Sequence, residues 1–260
     1  MDILNFTLDN FERFLFVFLR VLGILVIAPI FGHRSVVNQV KVGLALMVAV
    51  ALFPVVPTTL TPHPHMLLLA LAIIKELLMG LLIGFVSTLV FFAVKFAGEL
   101  IGLEVGFGIV NVLDPLSAEQ VSIIGEFQNL LATLIFLAVN GHHLILRGLA
   151  ASFDMVPLGG AHLTGLLGQN LIATTGRVFV IAVQLAAPVM ATLFLTTLAL
   201  GIVARTIPQM NVFIVGFPVK VIVGMAMIMF TLPMFAAALV KMFAGTERDI
   251  STILRLMSGR

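Results

Sequence analysis

Between Leu171 and Ala204 the chain runs for 34 residues with one charged side chain, Arg177, and one proline, Pro188. A soluble domain cannot bury such a run, and it is not alone. Phe11–Phe31, Val42–Val56, Met66–Val94, Ile123–Val139 and Val221–Val240 are also predominantly apolar. A helix needs about 20 apolar residues to cross the hydrocarbon layer, so Val42–Val56 is short for a full span. Continuous runs argue against a transmembrane barrel, whose strands alternate apolar and polar residues. Only 10% of residues are charged, against about 25% in soluble domains. The reading is an all-α, polytopic helical membrane protein, with residues 1–260 in one membrane domain.

Several function classes drop out at once. The chain has no cysteine, which excludes disulfides, thiol chemistry and Cys-based metal sites. A net charge of +2 with no basic cluster gives no grip on a phosphate backbone, so nucleic acid is not expected as a partner. No Gly-rich phosphate loop and no Gly-x-Ser-x-Gly is present, and no cofactor or catalytic role is expected. Adjacent His142 and His143 diverge on a helix, and His63 and His65 sit in a Pro-rich stretch, so neither pair reads as a metal site. A turn or capping role for Asn140-Gly141-His142 is the better reading. The acidic start, MDILNFTLDNFERF, does not resemble a removable signal peptide.

Other features resist a simple bundle of lipid-facing spans. The 22 phenylalanines stand without any Trp or Tyr, so the usual interfacial belt is missing. Either few helices are anchored individually in lipid, or this reflects lineage-specific usage. As one straight helix Leu171–Ala204 would be about 50 Å long, against a ~30 Å hydrocarbon layer. Either Pro188 kinks it or part of it lies outside the bilayer. Six spans with Arg34 and Lys41 inside place Arg205–Lys220 inside, but put the basic Lys241–Arg260 tail outside. That contradicts the positive-inside rule.

Three constellations stand out. Gly98, Gly102 and Gly106 recur every four residues and form one smooth ridge on a helix, suited to close packing. Gly108, Asn111 and Asp114-Pro115 follow in an acidic stretch, which reads equally as a pore-lining loop or a buried turn. Lys75-Glu76 interrupts an apolar run, as Arg20 does near the start of another. Charges there need a cavity, an interface or a partner. A contact to a partner subunit is the preferred reading for Lys75-Glu76, and ion transport is the alternative. Last, Arg205–Lys220 (RTIPQMNVFIVGFPVK) joins two apolar runs. A solvated turn explains its terminal charges but not Val212, Phe213, Ile214, Val215 and Phe217. An apolar tip between charges suggests docking on another protein.

In this segment Arg205, Pro208-Gln209, Asn211-Val212-Phe213, Gly216, Pro218 and Lys220 together resemble the C-terminal signature of the R-type export-gate family of type III secretion. That family serves the bacterial flagellum and injectisomes. Weaker matches agree in order: Arg20, Gly23 and Pro29; Gly106-x-Gly108 with Asp114-Pro115; and Phe136, Gly141-His142, Ser152-Phe153 and Pro157. One departure is Thr196-Thr197, where members often carry an acid before the Gly that precedes the signature Arg. The resemblance implies a subunit of a closed conical gate that passes unfolded proteins. Its partners would be P-type and Q-type gate proteins (FliP and FliQ), with a B-type protein (FlhB) at the cytoplasmic entrance. It also implies P-like helices over residues 1–170 and a Q-like hairpin with a basic tail over residues 171–260. Gly106, Gly108, Asn111, Asp114 and Pro115 would belong to a loop that helps plug the pore. Arg205, Pro208, Gln209, Asn211, Phe213, Gly216, Phe217, Pro218 and Lys220 would form a docking tip. A small-solute or ion transporter is the competing function, motivated by Lys75, Glu76 and the broken Gly-rich segment.

Overall fold

A computed structural model describes all residues except 1–2, 34–35, 57–65, 108–121, 208, 210 and 260; the side chains of 3–8, 212 and 213 are also outside the description. The described residues contain seven helices and no strand: α1 (Ile3–Ile27), α2 (Asn38–Leu52), α3 (Met66–Val105), α4 (Ile123–Ala138), α5 (Gly141–Met155), α6 (Gly165–Thr206) and α7 (Val212–Ser258). This is the polytopic helical class that the apolar runs dictate.

Local chemistry sets the helix ends. The Ser122 Oγ accepts the Gly125 N–H, the Thr164 Oγ1 accepts the Leu167 N–H and the Asn211 Oδ1 accepts the Ile214 N–H. Each is an N-cap bond that satisfies an amide the helix itself leaves unpaired. Asn140, left-handed at φ 57°, separates α4 from α5, which makes Asn140-Gly141 a turn.

α3, α6 and α7 each run well past one span, at 40, 42 and 47 residues. At ~1.5 Å per residue they are roughly 60–70 Å long, about twice the hydrocarbon thickness. Pro188 lies inside α6 without interrupting it. Three helices are long and apolar enough to cross a membrane, or four if α4 and α5 form one broken span. The expected six spans are therefore not six comparable helices. α2 has only 15 residues, and α1 carries Asp9, Glu12, Arg13 and Arg20. The polar tail Lys241–Arg260 is likewise no separate tail. Its residues through Ser258 continue α7, with Phe243, Ile250, Leu254 and Met257 buried at helical spacing.

The chain forms two compact units that interleave along the sequence. One comprises Met1–Leu89, Leu137–Thr174 and Phe243–Arg260; the other comprises Val90–Phe136 and Thr175–Met242. The second has a core of Ala97, Ile101 and Val105 from α3, Ile124 from α4, Ala182, Ala186, Val189 and Leu193 from α6, and Ile228 from α7. Small Ala residues at i, i+4 spacing let these helices approach closely, which lipid-embedded packing requires. Polar side chains within the helices are satisfied locally. The hydroxyls of Thr192, Thr196 and Thr197 donate to the carbonyls of Pro188, Thr192 and Leu193, one turn back. Thr196 and Thr197 are thus hydrogen-bonded within α6.

Candidate functional site

Two clusters gather the residues singled out by sequence, one in each unit. In the first unit Arg20 on α1 and Glu76 on α3 are fully buried. The Arg20 Nε and Nη2 donate to the two Glu76 carboxylate oxygens at 2.6 and 2.9 Å. The remaining Arg20 donors reach the Ser152 and Val156 carbonyls, and the guanidinium lies 4.5 Å over the Phe153 ring. Glu76 also accepts the Gly159 N–H at 2.7 Å. Every donor of the fork has an acceptor, the condition for burying a guanidinium in apolar surroundings. One turn along, Gly23 and Gly80 allow the backbones of α1 and α3 to meet. A Cβ on Gly80 would collide with the Arg20 carbonyl oxygen. Arg20, Gly23, Ser152 and Phe153, matched separately to family patterns, therefore belong to one cluster. Lys75, the neighbour of Glu76, is half-buried and makes no ion pair among the described residues.

In the second unit, α3 ends at Gly106, whose φ of +104° is a backbone conformation that glycine tolerates and L side chains resist. The Phe107 N–H bonds the Gly102 carbonyl at 3.0 Å and the Gly106 N–H bonds the Leu103 carbonyl at 3.1 Å. This pair of bonds is a Schellman cap. Gly98 and Gly102 lie in α3, where they pack on the start of α4. A Cβ on Gly98 would collide with Gly125, and one on Gly102 would meet the Ser122 Oγ at 2.7 Å. The glycine ridge thus serves close helix packing up to Gly102 and a helix stop at Gly106.

The segment Arg205–Lys220 departs from its expected form. Only residues 207–211 lie between helices; Phe213, Gly216, Phe217, Pro218 and Lys220 belong to the first turns of α7. The reading as an apolar loop tip rested on Val212, Phe213, Ile214, Val215 and Phe217 lying between terminal charges. Instead Asn211 caps the helix, and Pro218 sits inside it. Pro218 brings no N–H for the Ile214 carbonyl. Arg205 closes α6, where a cation suits the helix dipole. Gln209 is exposed in the corner and Gly216 is buried.

These first turns of α7 meet the end of α3. The Lys220 Nζ donates to the Glu104 carbonyl oxygen at 3.3 Å. The Phe217 and Phe107 rings form an edge-to-face pair with centroids 6.1 Å apart. A Cβ on Gly106 would stand 3.3 Å from the Phe217 ring, and one on Gly224 would meet the Val105 side chain at 2.9 Å. Phe217, Lys220 and Gly224, at i, i+3 and i+7, make one helix face. Sequence reading had treated Gly106 and Arg205–Lys220 as separate sites. It missed Glu104 because a backbone carbonyl leaves no mark in sequence. Gly108, Asn111, Asp114, Pro115 and Pro208, and the side chain of Phe213, lie outside the described residues. His63 and His65 do so as well. The His142 and His143 rings do not diverge as expected, because their centroids lie 4.2 Å apart. No metal-binding group of three or more His, Asp or Glu occurs among the described residues.

A family described as "Bacterial export proteins, family 1" matches residues 11–246. The chain belongs to this family. Its arginine–glutamate knot and its α3–α7 junction are both within the matched region of this bacterial export protein. It is similar to the flagellar biosynthetic protein FliR of Bacillus subtilis, at 38% identity over 98% of this chain and 99% of the relative. FliR of Escherichia coli is 34% identical over 84% of this chain and 83% of its own length. FliR of Pectobacterium carotovorum is 31% identical over 95% and 94%.

Proposed function

We propose that the chain is a core subunit of the flagellar type III protein-export gate, in the bacterial inner membrane at the basal body. It forms part of the closed channel through which unfolded flagellar proteins are exported. The observation that carries this reading is the family match across residues 11–246, joined to flagellar relatives matched over nearly their whole length.

On this reading residues 1–170 are P-like and residues 171–260 are a Q-like hairpin with its tail. The subunit joins P-type and Q-type gate proteins, and the corner between α6 and α7 faces a B-type protein at the cytoplasmic entrance. Residues Gly106, Gly108, Asn111, Asp114 and Pro115 contribute to closing the pore. The weak burial of α6 and α7 supports a need for partners. In their most apolar windows 28% and 17% of residues are buried, against 56% in α3. The transporter alternative loses its main support, because Glu76, the buried acid among the described residues, is fully engaged by Arg20 and the Gly159 amide.

Co-expression tests the assembly. The chain is expected to co-purify in a multi-subunit complex with P-type and Q-type proteins. A stable monomer that moves a small solute in liposomes would refute the export reading. Deleting a few residues around Asp114-Pro115 tests the closure: ion leak through the assembled gate should rise, and an unchanged leak would remove the plug assignment.

A further inference from the structure

We propose that the first turns of α7 clamp the C-terminal end of α3, with Lys220 and Phe217 as positioning residues that set how the chain leaves α3 at Gly106. The inference rests on the export-gate reading above, because its consequence is control over channel closure.

Three features support it. First, a helix C-terminus presents carbonyls with no partner in the helix, and Lys220 donates to one of them, that of Glu104. Second, Phe217 stands edge-on to Phe107 and seals the space beside Gly106. The positive φ of Gly106 already excludes a side chain there, so the ring from α7 supplies the packing that residue 106 cannot. Third, Gly224 lets α7 approach Val105 at the end of the same face. The three contacts fall within the last turn of α3 and the residues just after it. A positive-inside charge would not require Lys220 to sit on a carbonyl, and a lipid-facing Phe217 would not require a ring partner.

The clamp also has an input. Only residues 207–211 separate α7 from α6, and Asn211 ties that corner directly to the first turn of α7. A protein bound at the corner that shifts this turn therefore shifts Phe217 and Lys220 with it. In this way occupancy of the entrance corner biases the end of α3 through the first turns of α7.

The chain's lack of cysteine makes the test direct. Val105, 1% exposed, becomes a reporter as Val105→Cys in the assembled complex, with maleimide modification of this chain read by mass spectrometry. Adding Lys220→Met should raise the modification rate about tenfold, the scale of one hydrogen bond to a charged group. Ion leak should rise with it. Lys220→Arg, which restores a donor, should return both within twofold of the parent. Phe217→Leu serves if Lys220→Met does not assemble, and should show the same rise. Unchanged modification in the assembled variants overturns the clamp. If modification rises without leak, while the deletion around Asp114-Pro115 does leak, the clamp's control over closure is overturned and the gate reading stands. If neither variant nor deletion leaks, the plug assignment is what fails, and the modification rates alone decide the clamp.

Discussion

A guanidinium can be buried only if its five N–H groups find acceptors, and Arg20 finds them on Glu76, Ser152 and Val156. Removing one member is worse than removing both. Glu76→Ala leaves a buried, uncompensated cation and should cost about 3–5 kcal/mol. Arg20→Met combined with Glu76→Leu should recover part of that loss, because an apolar pair of similar volume avoids the desolvation. Membrane-inserted yield and thermal aggregation of the co-expressed complex measure both. A double variant no better than Glu76→Ala would mean that the pair acts through something other than charge burial. The exposed Lys95–Glu126 pair, at 3.3 Å and nearly half exposed on both sides, should contribute far less.

At the scale of elements, the crossing of α1 over α3 depends on Gly80. Gly80→Leu would drive a side chain into the Arg20 backbone and pull the Arg20–Glu76 pair apart. It should abolish accumulation of the folded subunit. Gly43→Leu is the matched control, because nothing lies within 4 Å of a Cβ at Gly43 on α2. Equal accumulation of the two variants, by immunoblot of membranes, would show that the crossing is dispensable. The start of α7 gives a milder case. Asn211→Ala removes an N-cap worth ~1 kcal/mol and should speed exchange of the Ile214 amide about fivefold. Hydrogen-exchange mass spectrometry of the complex reads that change.

For the whole molecule, the decisive quantity is the apolar surface that the chain leaves uncovered. Ile202, Ile222, Met229 and Phe230 on α6 and α7 are each about 70% exposed or more. If other gate subunits cover this surface, single cysteines at Ile202 and Phe230 should react with a lipid-soluble maleimide in the chain expressed alone. Co-expression with P-type and Q-type proteins should protect them at least fivefold. Equal labelling in both cases would assign these faces to lipid.

Much of the fold was legible because the lipid environment makes a simple demand. Backbone groups must be satisfied within the segment, so a run such as Leu171–Ala204 has to be a helix. Arg205, Asn211, Gly216 and Lys220 were legible as a signature for the same reason that they are unusual between two apolar runs. Helix limits were less legible. Gly98 and Gly102 read as a packing ridge on a helix and do pack on Gly125 and Ser122, but the helix stop at Gly106 was not marked. Likewise Val221–Val240 read as the last apolar run between a connecting segment and a polar tail, but α7 extends over Val212–Ser258.

The sequence by itself determined the class of the protein and the helical state of its long apolar runs, because hydropathy and backbone hydrogen bonding act on neighbouring residues. It also carried the family signature. Only the tertiary structure decided which charges meet. Arg20 reaches Glu76 and Ser152 across 56 and 132 residues, and Lys220 reaches the Glu104 carbonyl across 116. Such pairings depend on how helices cross, and a backbone acceptor has no letter in the sequence by which to be found.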